Sequence, residues 1–236
     1  MTNIELNLAL YRKLYLIRKS EELICQHYFD DEMKTVEYAV PDDLPVWTDL
    51  KVHQCPNCPL EVDFVRTCPA AAALVDLVGR SQNMNSFEEV DLEIITSDRT
   101  VKQTVTAQRA FSSFMGLILP ISGCPRLEVF KPMARFHLPL ANDDETMYRT
   151  ISMYAVRQLF RAEQGFEVES DLKGLLDIYG EVDKVNIALN ARLEQATANS
   201  ATSNAIVVLG SFAAALPGLI DKSVGEIKAL FRSGDE

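Results

Sequence analysis

Residues 4 to 34 read "IELNLALYRKLYLIRKSEELICQHYFDDEMK". The stretch holds neither glycine nor proline and is rich in good helix formers. Leu6, Leu10, Leu14, Ile17, Ile24 and Tyr28 recur at helical intervals, a pattern that predicts one long helix. Its acidic end, Asp30 to Glu32, opposes the negative end of the helix dipole, so the last turn is expected to fray. Read this way, residues 1–35 are an N-terminal helix, either fused or partner-binding. Residues 36–236 then form one domain.

From Val36 the pattern changes. "VEYAV" and "DLKVHQ" look like short strands separated by the proline-bearing turn "PDDLP". The segment "CPAAAALVDLVGRSQNM" reads as a helix, and "EEVDLEIIT" with "RTVKQTV" as a hairpin joined at Ser97–Asp98. Helical patterns then cover 106–119, 125–136, 143–164, 171–198, 201–216 and 218–231. Asn142 and Glu145 have the spacing of a capping box. The expected fold class is α+β and mainly helical, a small cysteine-rich α/β portion followed by a helical bundle.

The chain carries 34 acids against 23 bases, a net charge of −11. A duplex-binding surface needs clustered cations to neutralise phosphates, and none is visible, so nucleic acid is not an expected partner. Ala205 to Ile220 is the longest apolar run, interrupted by Gly210, Pro217 and Gly218. It is shorter than the roughly 20 residues a span requires. It reads as a buried helix, a break and a second helix, with no membrane partner expected. The opening residues do not resemble a signal peptide. A cytoplasmic location with reduced thiols is the expectation.

Four of the five cysteines precede proline: Cys55, Cys58, Cys68 and Cys124. Proline suits the first position of a helix, so Cys68 and Cys124 are expected at helix starts. Unpaired N–H groups there would lower a thiol's pKa. Cys55 and Cys58 have C-x2-C spacing, which lets one turn offer two sulfurs to one ion. Cys68 supplies a third thiol and Cys124 a fourth, with His53 and His137 as alternates. Four thiolates suit zinc or an iron–sulfur cluster, and spacing does not separate the two. Buried thiols that merely pack, or a dithiol redox pair, are the competing readings. Cys25 reads as an ordinary buried residue. In "RFHLPL", Arg135 and His137 could hold an anion, or His137 could simply cap a helix end. Trp47 and Met115, Met133, Met147 and Met153 read as core. Phosphate loops, dinucleotide fingerprints and nucleophile elbows are absent.

Two resemblances follow from these residues. "LYRKLYLIRKSEELICQHYFDDEMKT", Leu10 to Thr35, resembles the opening helix of the alpha subunit of thiamine-diphosphate-dependent 2-oxo-acid dehydrogenases. That family continues with a Pro/His stretch, a Gly-Gln-Glu-Ala segment and a Gly-Asp-Gly motif. Here "VEYAVPDDLPVWTDL" follows instead and Gly-Asp-Gly is lacking, so the resemblance implies a helix and no active site. "HQCPNCPL", "CPAAAALVDL", "TAQRAFSSFMGL", "SGCP", "KPMARFHLPL" and "TMYRTISMYAVRQLFR" together resemble a bacterial family of unknown function over residues 44–231.

The leading expectation is a soluble protein whose four cysteines bind zinc or an iron–sulfur cluster, with a structural or sensory role. One alternative is a thiol-chemistry or thiamine-enzyme-associated subunit, with its protein partner bound through the N-terminal helix. Another is a metal-free helical ligand-binding domain. The apolar helices from Ile206 to Leu230 could also bury against a second copy as a homodimer.

Overall fold

A computed structural model of the chain describes residues 13–30, 43–169, 171–196 and 201–231. Over 13–29 the expected helix is replaced by two antiparallel strands, β1 (Lys13–Lys19) and β2 (Glu22–Phe29). The two are joined through Ser20, which takes a left-handed conformation at φ 54°. The physical reason is burial on both sides. Tyr15 and Ile17 enter the main core, while Leu14 and Leu16 meet Tyr28 on the opposite face. Four consecutive apolar residues satisfy a doubly covered strand, and aromatic and β-branched side chains fit its pleat. The rest of the expected helix, and the "VEYAV" strand, lie outside the described residues.

β3 (Glu89–Thr96) and β4 (Thr100–Thr106) form the expected hairpin. The sheet order is β2-β1-β3-β4, antiparallel throughout. β1 is therefore an inner strand, pairing Tyr15 with His27 on one side and Ile94 on the other. The N-terminal hairpin supplies half of the sheet.

The expected strand "DLKVHQ" is absent. Val46–Thr48 form one turn of 3-10 helix, and Asp49 makes an isolated bridge to Thr67. Two short helices follow, α1 (Pro69–Ala72) and α2 (Val75–Ser81). Then come α3 (Ala107–Ile118), α4 (Lys131–Arg135), α5 (Asp143–Glu163), α6 (Lys173–Ala196) and α7 (Ala201–Phe231). The expected helix over 125–136 shrinks to a 3-10 turn at Glu128–Phe130 and the short α4. α5 opens with the capping box, Asn142 accepting from the Glu145 N–H and Glu145 from that of Asn142. The fold is α+β and mainly helical.

α7 overturns the expected break, running 31 residues with Pro217 inside. A proline there removes one backbone hydrogen bond, yet Leu216 and Ile220 on either side are buried and hold the helix in place. The stretch Ala201–Ile220 is long and apolar enough to cross a membrane by length and composition, with mean hydropathy 1.7 and 28% of the window buried. α7 packs along α6 and α3. Phe111, Phe114 and Met115 of α3 sit beneath the sheet in the same core as Leu189 and Ile206.

Candidate metal centre

Three separate segments bring the four Cys-Pro thiols together. The turn Cys55–Cys58 is closed by the Cys58 N–H donating to the Cys55 carbonyl at 3.0 Å. Within that turn, Asn57 Nδ2 donates to the backbone carbonyl and to Oε2 of Glu181 in α6, both at 2.9 Å. Arg126, two residues beyond Cys124, donates from Nε to the Asn57 carbonyl at 2.7 Å. The loop carrying Cys124 thus grips the turn carrying Cys55 and Cys58. That loop also abuts the start of α1, where a Cβ on Gly123 would stand 3.8 Å from Cβ of Pro69, the residue after Cys68. Gly123 takes φ 88°, a conformation glycine adopts without steric cost.

Cys68 caps α1 with Pro69 in its first turn, as expected. Its N–H donates to the Thr48 carbonyl at 2.8 Å. Cys124 is not a helix cap, because the segment after it is a turn in which the Leu127 and Glu128 N–H groups donate to the Cys124 carbonyl. The expected low thiol pKa is also overturned there. Burial pushes the Cys124 thiol up, against the pull of the Arg126 and Leu127 N–H groups, and Cys68 and Cys58 add to the rise. Cys55 is pushed up to about 11, first by burial and then by Cys68, Cys58 and Cys124, while Arg192 acts in the opposite sense. Thiols that shift one another in this way share one neighbourhood. All are free rather than paired as disulfides. Metal binding would reverse the rise, because a coordinating thiol is deprotonated outright.

Arg192 in α6 is the residue that sequence reasoning missed. It is only 1% exposed. Nη1 donates to the carbonyls of Trp47 at 2.9 Å and Asp49 at 2.7 Å, and Nη2 to that of Leu50 at 3.0 Å. Among the described residues its Nε finds no hydrogen-bond partner, and neither does the buried Asn57 Oδ1 in the cysteine turn. No carboxylate lies within ion-pair distance of the guanidinium among the described residues. A buried cation without an acid is costly unless another anion compensates it. Four thiolates around a metal or cluster carry excess negative charge, so the donor set and this cation fit one another. Trp47 is core, as expected.

The two alternates fare differently. His53 is exposed and has φ 44°. His137 lines a separate cavity, its Nε2 3.9 Å from where a Cβ on Gly116 would stand.

A second set of donors comes from the hairpin. Ligand atoms of Cys25, His27 and Asp76 all lie within 4.8 Å of one another, the set among the described residues that meets this spacing. Cys25 and His27 share one face of β2, and Asp76 comes from α2. His27 Nε2 stands 3.7 Å from Asp76 Oδ2, and Arg80 Nε donates to Asp76 Oδ1 at 2.7 Å. Burial pushes the Cys25 thiol well up and lowers His27 to about 4. Reading residues 22–29 as a strand would have placed Cys25 and His27 on one face. The helical reading concealed that pairing.

A family model described as a domain of unknown function, DUF6901, matches residues 12–232. The chain belongs to that family. The match takes in the N-terminal hairpin as well as the cysteines, and it shows no likeness to thiamine-diphosphate enzymes. No curated protein and no solved structure matches the chain.

Proposed function

We propose that the chain is a metalloprotein in which Cys55, Cys58, Cys68 and Cys124 hold an iron–sulfur cluster, with a structural or sensing role. The observation that carries this reading is the shared neighbourhood of four thiols from three segments, tied by the Arg126–Asn57 hydrogen bond and the Gly123–Pro69 contact, near the buried Arg192, which has no ion-paired carboxylate among the described residues. The choice of cluster over zinc rests on spacing. A zinc–sulfur bond of about 2.3 Å sets tetrahedral sulfurs roughly 3.8 Å apart. Among the described residues the donor set whose ligand atoms all lie within 4.8 Å of one another is Cys25, His27 and Asp76, and the Cys-Pro thiols do not form such a set. A cluster attaches each thiolate to its own iron and so takes a wider set of sulfurs. When bound, it would supply a covalent staple between the cysteine turn, α1 and the Cys124 loop, and a redox-responsive one.

The experiment is metal analysis of the wild type and Cys58→Ser, both purified without oxygen or chelator. The wild type should carry iron and acid-labile sulfide. The variant should lose most of both and melt at a lower temperature, because site formation and folding are coupled. Equal metal content in the two proteins would overturn the assignment of Cys58.

A further inference from the structure

The anion expected near Arg135 and His137 has a better place to bind, and it owes nothing to the cysteines. Arg135 lies over the ring of Phe136, 5.8 Å from its centroid. His137 instead lines a cavity of about 580 Å³ among α3, α5, α6 and α7. That volume falls in the usual range for small-molecule sites, roughly 300–1,000 Å³. Its wall is largely apolar, with Met115, Leu119, Phe130, Met133, Leu209 and Phe212.

Two guanidinium groups also reach it, Arg109 and Arg149. Arg149 is held in place, Nη2 donating to the carbonyls of Met133 at 2.8 Å and Phe136 at 3.2 Å. Arg109 Nη2 donates to the Leu140 carbonyl at 3.4 Å. These acceptors are neutral, so neither hydrogen bond offsets the charge it holds. Neither arginine has a carboxylate within ion-pair distance among the described residues, although Asp143 lines the same cavity. Burial disfavours the charged form of Arg149, against a smaller opposing pull from Tyr179 and from Glu145 one turn earlier in α5. The rim is braced as well. Leu140 takes φ 57°, unusual for a residue with a side chain, and its N–H donates to Ser113 Oγ at 3.2 Å. In a chain of net charge −11, two arginines at an apolar cavity, neither in an ion pair among the described residues, select for an anion with an apolar body.

We propose that this cavity binds a small amphipathic carboxylate, with its acid group at Arg149 and Arg109 and its apolar body among Met115, Leu209 and Phe212. A free acid and an anionic lipid headgroup share this chemistry, and the proposal commits to the free acid. A volume of about 580 Å³ is enough to seat a whole small molecule.

The test is calorimetric titration of the full chain with decanoate and with decanol, beside sedimentation with phosphatidylglycerol vesicles. Decanoate should bind at least about tenfold more tightly than decanol, since a hydrogen bond to a charged group contributes about 1.5–3 kcal/mol. Arg149→Gln should remove that preference and leave decanol binding unchanged. Arg109→Gln, at an exposed position, should reduce the preference in the same direction. Equal binding of acid and alcohol, or binding of neither, would overturn the proposal. Capture by vesicles without decanoate binding would also overturn it, in favour of a lipid-surface contact.

Discussion

Replacing Arg192 with methionine should lower the unfolding free energy by about 3–5 kcal/mol. Methionine matches much of the arginine volume, so the loss comes chiefly from hydrogen bonding rather than from a void. Three carbonyls, those of Trp47 and Leu50 in buried bonds and that of Asp49 in a part-buried one, lose their donor at once. Their segment also holds Cys68 through the Thr48 carbonyl, so the damage spreads to the thiol site. Arg192→Lys should recover little, because one ammonium cannot reproduce the fork that reaches three carbonyls. Urea unfolding of the wild type and both variants measures the effect. A loss under about 1 kcal/mol for Arg192→Met would show that this segment is held by other contacts.

His27 should make the fold sensitive to acid. Its imidazole is 3% exposed, and burial lowers its pKa to about 4, against the opposing pull of Asp76 and with a smaller push from Arg80. Cys25 faces it from the same strand and Phe114 from α3, the rings 4.5 Å apart. The unfolded imidazole titrates near 6.5, so between pH 6.5 and 4 the unfolded chain binds the extra proton. The contribution is therefore complete above pH 6.5 and lost as pH falls towards 4, for a total of about 3 kcal/mol. Carboxylates elsewhere also respond to acid, so the measurement is a difference. Unfolding free energies of wild type and His27→Gln at pH 7, 5.5 and 4 should shift relative to one another by about 3 kcal/mol, to the wild type's disadvantage in acid. A gap that stays constant across this range would mean His27 titrates in the fold as it does in the unfolded chain.

What the sequence made legible follows from how each element is stabilised. The capping box at Asn142 and Glu145 is a local device, and α5 begins where those residues say. The alternation in "EEVDLEIIT" was readable because β3 has one face more covered than the other. "KLYLIRK" gave no such contrast. With both faces of β1 buried, its apolar residues run together, and their spacing to Ile24 and Tyr28 matched a helix by coincidence. Its turn carries Ser20 and Glu21 rather than glycine or asparagine, so the usual hairpin signal was missing. Pro217 suggested a break that packing at Leu216 and Ile220 overrides.

The thiols were readable because C-x2-C spacing and repeated Cys-Pro pairs are local signals. Arg192 was not. In "NARLEQA" it looks like one more solvated helix residue, and its burial follows from the Trp47–Leu50 segment folding across α6. The cavity was hidden for the same reason. Its wall is assembled from helices far apart in the chain, and its cations, Arg109 and Arg149, sit in ordinary amphipathic patterns.

The most direct test of the four-thiol centre is elemental analysis with an absorption spectrum on wild-type protein purified without oxygen. A cluster on four thiolates should give about four irons with matching sulfide per chain and a brown colour absorbing beyond the protein band. About one zinc per chain and a colourless solution would keep the four-thiolate site but contradict the cluster. Protein with no metal and reactive thiols at all four Cys-Pro positions would contradict the centre itself.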